Sequence, residues 1–363
     1  MGPPAAREGV DPDEGGAGMI EIDGSHGEGG GQLLRMAVAL SSVTRKPVAV
    51  DRIRAGRPNP GLAAQHVTAL RAVAELASAE VEGLAIGSSR IAFRPGDLVG
   101  GDHAFDVGTA GSVTLVLQAC LPVAFAAKTS THLRIVGGTD VKWSPPLDYF
   151  ARVFLPWIRR LGGQADLLSH RRGYYPRGGG EVEMAIQPTP SWSPVQLSEP
   201  GALERVRGVA HVSNLDEDIP KRMKAAALRR LHGVPDAKIE ERAYPSEDAV
   251  GQGGAVVLWA DREHTLLGAD ALAERGKSSE RVGEEAAEAL EAEILSGATV
   301  DVHAADQIVA YLALSDRPSS FMVREVSAHL RTMAWLLPQF LERSVEFQSI
   351  GELTRVKVGP KPA

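Results

Sequence analysis

The order of elements in this chain recurs, and that recurrence constrains its fold more than any other feature. A strand at Met19–Asp23 leads through the Gly-rich turn GSHGEGGG into a helix over about Gln32–Val43, where Leu33, Leu34, Met36, Ala37 and Leu40 keep a 3.6-residue period. The strand VAVDRIR (48–54), the loop AGRPNPG, a helix over Leu62–Ala77 and the β-ribbon VEGLAIGSSRIAFRPG complete the unit. About 80 residues on, FDVGTAGS feeds a helix over Val113–Ala127, THLRIVGG reads as a strand and SPPLDYFARVFLPWIRRLGG as a second helix. A weaker third copy closes the chain: SSERVGEEAAEALEAEILSG and AADQIVAYLALS read as helices, SSFMVREV as a strand and SAHLRTMAWLLPQFL as the last helix. A unit of this size cannot bury its apolar face alone, so the copies must stack.

Between the second and third copies the pattern changes. A Pro/Ser-rich linker TPSWSPVQLSEPG precedes the strand VRGVAHVSN, the helix IPKRMKAAALRRL, the turn VGQGG and the strand AVVLWA, which together read as a domain inserted between repeats. The expected organisation is an extension over 1–18, a body of repeated α/β units over 19–187 and 277–353, an inserted α/β domain over 188–276 and a tail over 354–363.

With 44% hydrophobic and 23% charged residues, the chain is excluded from the disordered and collagen-like classes. Its single cysteine, Cys120, lies in the apolar run VTLVLQACLPVAFAA and reads as a small core residue or, alternatively, a nucleophile; it implies a reducing compartment. No apolar run reaches ~18 residues unbroken, and MGPPAAREGVDPDEGGAG has neither a basic start nor an apolar stretch, so a cytoplasmic protein without a membrane partner is expected. The net charge of −7 is unevenly spread. Between 21 and 186, eighteen basic residues face fifteen acidic ones, whereas beyond 186 twenty face twenty-seven. A short anionic ligand suits the first half; a long duplex footprint does not.

Several motifs sit at strand-to-helix junctions. In GEGGGQLLR (27–35) three consecutive glycines either make a tight turn or let backbone N–H groups approach an anion at a helix N-terminus. The run has no GK[ST] and lacks the last glycine of GxGxxG, so neither dinucleotide nor Walker chemistry follows. Glu28 beside phosphate-binding amides would be repelled unless it held a divalent cation. In DRIRAGRPNPGLAAQH, Arg54 and Arg57 flank a turn and form either a guanidinium fork for phosphate or a solvated cluster; Gln65 and His66 read as ordinary helix polar residues. GTAGSVTLVLQ places small residues before a helix that carries Gln118, and GGTDVKWSPPLDYF sets Asp140, Lys142 and Pro145–Pro146 before another. With no HExxH, CxxC or His/Cys cluster, a zinc site is not expected, and His303 and His329 read as helix-end residues or as functional groups.

Taken in order, EIDGSHGEGGGQLLRMAVALS, IRAGRPNPGLAAQHVTAL, VGTAGSVTLVLQACLP, VGGTDVKWSPPLDYF, GYYPRGGGEV, AADQ and the His329 helix resemble the RNA 3'-terminal phosphate cyclase family from about Met19 to Leu353. The resemblance implies an α/β (α+β) body of three βαβα-type units, each a four-stranded sheet backed by two helices, with a smaller inserted α/β domain. It implies that a histidine attacks the α-phosphorus of ATP, that the enzyme–AMP adenylates an RNA 3'-phosphate, and that the vicinal 2'-OH then closes a 2',3'-cyclic phosphate. By the same resemblance His329 is the nucleophile and Glu28 binds Mg²⁺ or Mn²⁺. Arg35, Arg54, Arg57 and Gln65 surround the phosphates and the RNA end. Gln118, Pro145, His303, Asp306 and Gln307 form the ATP pocket, with His303 standing where the family has a tyrosine stacked on adenine. Two rivals share related folds: a non-catalytic cyclase-like protein of ribosome assembly, which should lack the nucleophilic histidine, and an enolpyruvyl transferase, to whose Gly-rich motif GTAGS is faintly similar.

Overall fold

The structure is a computed structural model that describes residues 18–360. The expected N-terminal extension lies outside the described residues except for Gly18. The first unit runs β1 (Ile20–Asp23), α1 (Gly31–Thr44), β2 (Val48–Asp51), α2 (Ala64–Leu76), β3 (Glu80–Glu82) and β4 (Ile91–Arg94). Its sheet has the order β1-β2-β4-β3, with β1 parallel to β2 and the remaining pairs antiparallel.

The second unit repeats that order. It comprises β5 (Gly101–Asp106), α3 (Val113–Ala126), β6 (Thr131–Gly137), a helix made of α4 (Leu147–Tyr149), a π-helical turn (Phe150–Phe154) and α5 (Leu155–Arg160), then β7 (Gln164–Gly173) and β8 (Gly180–Gln187). Pro156 lacks the N–H for an α-helical bond, which accounts for the widening of the turn just before it. The strands lie in the order β5-β6-β8-β7.

The inserted segment contributes β9 (Leu203–Ser213), α6 (Asp218–Arg230), β10 (Ala237–Tyr244), β11 (Ala249–Val250), β12 (Gly253–Arg262), β13 (Leu266–Leu272) and α7 (Ser279–Ser296). Four of these strands form a sheet of their own, β10-β9-β12-β13, while the short β11 adds to the edge of the second unit beside β7. The third unit closes with α8 (Val302–Ala313), β14 (Ser319–Val323), α9 (Ala328–Phe340), β15 (Arg343–Ile350) and β16 (Leu353–Pro360), in the order β14-β16-β15.

The mixed α/β class is as expected, but the packing moves three boundaries. α7, read in the sequence as the opening helix of the third copy, instead buries Val282, Ala286, Ala287 and Leu290 with Val256, Leu258 and Leu267 of the inserted sheet. An amphipathic helix shows its apolar stripe but not its partner, which is why the sequence misplaced it. Residues 354–360, expected as tail, are the central strand of the third sheet. Val356 and Val358 alternate inward there, and the hairpin turns at Gly351 (φ 61°). Finally, Gln196 bridges Ser320 in parallel, with Leu197 N–H donating to Ser320 O at 2.9 Å and Ser320 N–H to Val195 O at 2.8 Å. The segment Val195–Leu197 thus occupies the place that β1 and β5 hold in the other units. We propose that the insertion interrupts the third unit between its first strand and its first helix. We propose from this packing that the inserted domain spans about 198–297 rather than 188–276.

One continuous core joins the three units. α1, α2 and α3 pack together, and Phe125 and Phe154 meet Tyr311 of α8 edge-on or tilted at 6.2 Å. Cys120 is fully buried in α3, and burial pushes its thiol well above its ordinary value, which removes it as a nucleophile. Among the described residues no helix is long and apolar enough to cross a membrane.

Candidate active site

Most of the candidate site residues fall at one kind of place, the loop that leaves a strand or the helix that follows it, while His303, Asp306 and Gln307 lie on α8, which follows α7. Ligand sites of open α/β sheets gather at such strand ends. The first unit supplies Glu28, Arg35, Arg54, Arg57 and Gln65; the second Gln118 and Pro145; the third His303, Asp306, Gln307 and His329.

The turn between β1 and α1 is shaped by what it must let near. Gly27 (φ 60°) leaves room for Thr332 of α9, whose Oγ1 would lie 2.5 Å from a Cβ there. At Gly31 a Cβ would lie 2.3 Å from His66 Nε2 and 2.7 Å from Arg35 Nη1, so the run of glycines brings two nitrogen groups against the first turn of α1. Glu28 projects from this turn. Its Oε1 accepts from Arg57 Nη2, and its Oε2 faces His329 Nδ1 at 2.5 Å, an ion-pair contact off the line of a good hydrogen bond that leaves both buried atoms without a hydrogen-bond partner. His329 stands in the first turn of α9, capped by Ser327, whose Oγ accepts from Leu330 N–H at 2.9 Å and donates to Asp306 Oδ2 at 3.2 Å.

The charges are mutually tuned. Glu28 raises His329 above the ordinary imidazole value against the opposing effect of burial, and His329, helped by Arg57, holds Glu28 below the usual carboxylate range. Burial lowers Arg35 to about 10, with Glu28 opposing. Burial and then Arg35 and Arg54 press His66 to about 3, so its ring is neutral, with Nδ1 accepting from Ala63 N–H at 3.1 Å. Burial lifts Asp306 to about 6, with His329 acting against it.

Other residues are joined in pairs around this centre. Gln65 Oε1 accepts from Ser112 N–H at 3.2 Å, linking the second loop to GTAGS. Gln118 donates to Gln307 at 2.7 Å, and Thr114 Oγ1 donates to Pro145 O at 2.8 Å. Arg54, at φ 53°, donates to Gly61 O at 2.7 Å, while Arg52 turns away to pair with Asp23. His303 lies edge-on to Tyr149 at 6.5 Å, at the start of α8, where Asp301 caps the helix and accepts from Tyr149 OH at 2.6 Å. The sequence reading took His66 as an ordinary helix polar residue and passed over Thr332, Ser327 and Asp301. Ser327 and Asp301 each precede an apolar-periodic helix, a capping signal that was there to be read, whereas the burial of His66 depends on a glycine 35 positions earlier in the chain.

The model for RNA 3'-terminal phosphate cyclase matches residues 26–347. The chain is 51% identical to the RNA 3'-terminal phosphate cyclase of Nitrosospira multiformis over 344 residues, covering 95% of this chain and 97% of that one. It is 46% identical to that of Methanopyrus kandleri, covering 94% and 99%. Among solved structures, the enolpyruvyl transferase NikO from Streptomyces tendae aligns with a TM-score of 0.26 and 11% identity over 95% of this chain and 66% of that one, a likeness from which nothing about chemistry follows. The length and level of the cyclase matches leave one conclusion: the chain belongs to the RNA 3'-terminal phosphate cyclase family.

Proposed function

We propose that this protein converts an RNA 3'-terminal phosphate to a 2',3'-cyclic phosphate at the expense of ATP, with His329 as the covalent nucleophile. The observation that carries the reading is the approach of Glu28 to His329 across 301 positions of chain, with Arg57 on the same carboxylate and Arg35 buried beside it. The pair favours the protonated form of His329, with Nδ1 turned to Glu28. Nucleophilic attack needs the neutral ring, and with Nδ1 turned to Glu28 the reacting nitrogen is Nε2.

Glu28 Oε2, buried and without a hydrogen-bond partner, fits a divalent cation, and Mg²⁺ or Mn²⁺ held there would neutralise the charge of the triphosphate. Arg54 and Arg57 bind the phosphates and the RNA end as planar forks, and Arg35 supplies a fixed positive charge. Nε2 forms a bond to the α-phosphorus as the bond to pyrophosphate breaks. The RNA 3'-phosphate then displaces the histidine and takes AMP, and the vicinal 2'-OH closes the ring as AMP departs. Adenylation supplies the leaving group, since a bare phosphate cannot expel oxide. Gln118 and Gln307, already bonded to one another, with Pro145, Asp306 and His303 make the pocket for the nucleoside. The rival non-catalytic role finds no support in a chain that retains His329, and a single buried cysteine with no oxidised partner goes with a cytoplasmic location.

The test is incubation with α-labelled ATP and Mg²⁺ or Mn²⁺. An acid-labile AMP adduct on His329, located by mass spectrometry, is expected. AMP on any other residue, or none, overturns the reading.

A further inference from the structure

At the junction of the second unit with the inserted sheet lies a cavity of about 240 Å³ that shares no residue with the His329 site. Nearby, Asp140, Asp148 and His211 lie close enough for their ligand atoms to surround a cation. That position is already filled by Arg172, whose Nη1 donates to both oxygens of Asp140 at 3.2 and 3.1 Å and whose Nη2 donates to Asp148 at 2.6 Å. The cavity itself is lined by further arginines. Arg152, Arg159, His170, Arg172 and Arg242 line it with one carboxylate, Asp148. Arg159 and Arg242 use Nη2 on Asp166 and Glu240, Arg152 makes no ion pair among the described residues and rests over the ring of Trp259 at 5.9 Å, and Arg172 Nε, on a side chain only 1% exposed, has no partner. Burial, with Arg172 beside it, pushes His170 below the ordinary imidazole value, so at neutral pH the ring adds a polar partner without adding charge.

We propose that this cavity binds a phosphate-class anion, held by Arg152, Arg242 and the buried Arg172. An anion in the void would meet the Arg152 guanidinium, which has no carboxylate partner among the described residues, and the buried, partnerless Nε of Arg172, and the fork geometry of a guanidinium matches phosphate oxygens. Pockets for drug-sized ligands run from about 300 to 1,000 Å³, so this smaller one takes inorganic phosphate, pyrophosphate or a single backbone phosphate of RNA rather than a whole nucleotide. Because Arg152, Arg159 and Arg172 belong to the second unit and Arg242 to β10, the bound anion bridges the body and the inserted sheet.

The test follows tryptophan emission of the full chain during titration with inorganic phosphate, pyrophosphate or a short 3'-hydroxyl oligoribonucleotide at constant ionic strength. Capture of Arg152 alters its seat on Trp259, so a saturable change is expected that disappears in Trp259→Phe and whose half-saturation rises about tenfold or more in Arg242→Gln. Competition by the oligonucleotide identifies a backbone phosphate as the ligand; binding of the free anions without competition identifies them, and both results support the site. The proposal is overturned if no saturable change occurs, if the change survives Trp259→Phe, or if half-saturation is equal in Arg152→Gln, Arg242→Gln and the parent. Enzyme–AMP labelling of the Arg242→Gln protein serves as the check of its fold, and it depends on the His329 site, none of whose residues lines the cavity, so loss of anion binding and loss of the cyclase chemistry remain separable.

Discussion

Two clusters in this molecule are built from the same three kinds of side chain and arranged to opposite ends. Around Arg172, the carboxylates of Asp140 and Asp148 and the ring of His211 are between 0 and 14% exposed, and Asp140 receives the guanidinium through both oxygens. Around Glu28, by contrast, the carboxylate is 27% and the His329 ring 44% exposed, and their contact is close without being well directed. Water cannot loosen the first cluster, so it fixes how the inserted sheet seats on the second unit. The second is held by charge alone and gives way when a competing charge arrives. Burial also acts differently in the two: it would raise Asp140, but Arg172, His211 and Thr139 outweigh it and hold that carboxyl far below its usual range, whereas at Asp306 burial wins.

The comparison breaks most visibly at its reactive end. His329→Ala should abolish enzyme–AMP formation and yet still cyclise RNA supplied already adenylated at its 3'-phosphate, as measured with a synthetic adenylate. A variant that fails with the adenylate too would make His329 more than a nucleophile. The locked cluster should answer in stability instead. Arg172→Met strands two buried carboxylates and should cost about 3–5 kcal/mol in chemical denaturation. Since the folded-state pKa of Asp140 is depressed, its contribution is present above the unfolded value near 4 and fades as the pH falls. The acid limb of the stability curve should therefore flatten in Asp140→Asn.

Smaller effects sharpen the contrast. In Glu28→Gln the titration midpoint of His329, followed by NMR, should fall, because the partner that raises it most is gone while burial and Arg35 still oppose the charge, with Asp306 left as the one raising neighbour. The acid limb of the adenylation profile should move the same way; an unmoved midpoint would mean that the pair is incidental. Arg57→Lys keeps the charge but not the fork and should lose much of the roughly 100-fold that deleting such a donor costs, read as cyclisation rate at saturating ATP. His303→Tyr is expected to change least, tightening ATP by about 1 kcal/mol or less through a larger stacking face.

The sequence reading located most elements because the helices carry their own period and the turns their own glycines: α1, α2, α3 and α9 fall within a residue or two of expectation. It failed where a signal is weak or ownership is decided by packing. Past Leu353, Val356 and Val358 offered only two apolar positions, alternating with the charged Arg355 and Lys357, and the three-residue segment Val195–Leu197 is too short to announce itself inside a Pro/Ser-rich stretch. At the site, the Gly-rich turn with Glu28 and the arginine loop were legible as candidates on chemistry alone. The meeting of Glu28 with His329 was not, since nothing local in either segment records the other; it entered through the resemblance. The Arg172 cluster escaped for the same reason, its members coming from a loop, a helix and two strands far apart in the chain.

The interruption of the third unit also sets a timetable for synthesis. A chain leaving the ribosome completes its first two units by about residue 187 and can bury their helices at once, but Val195–Leu197 must then wait for roughly a hundred residues of insert before α8 and β14 arrive to cover it. Domains fold as they emerge, so the insert is poised to form while the strand beside it is still unpaired. His329 is translated later still, and β16, which completes its sheet, last of all. On the proposed mechanism a product cut short before α9 would carry the glycine turn and the arginines without the proposed nucleophile, and the chemistry would await that last helix.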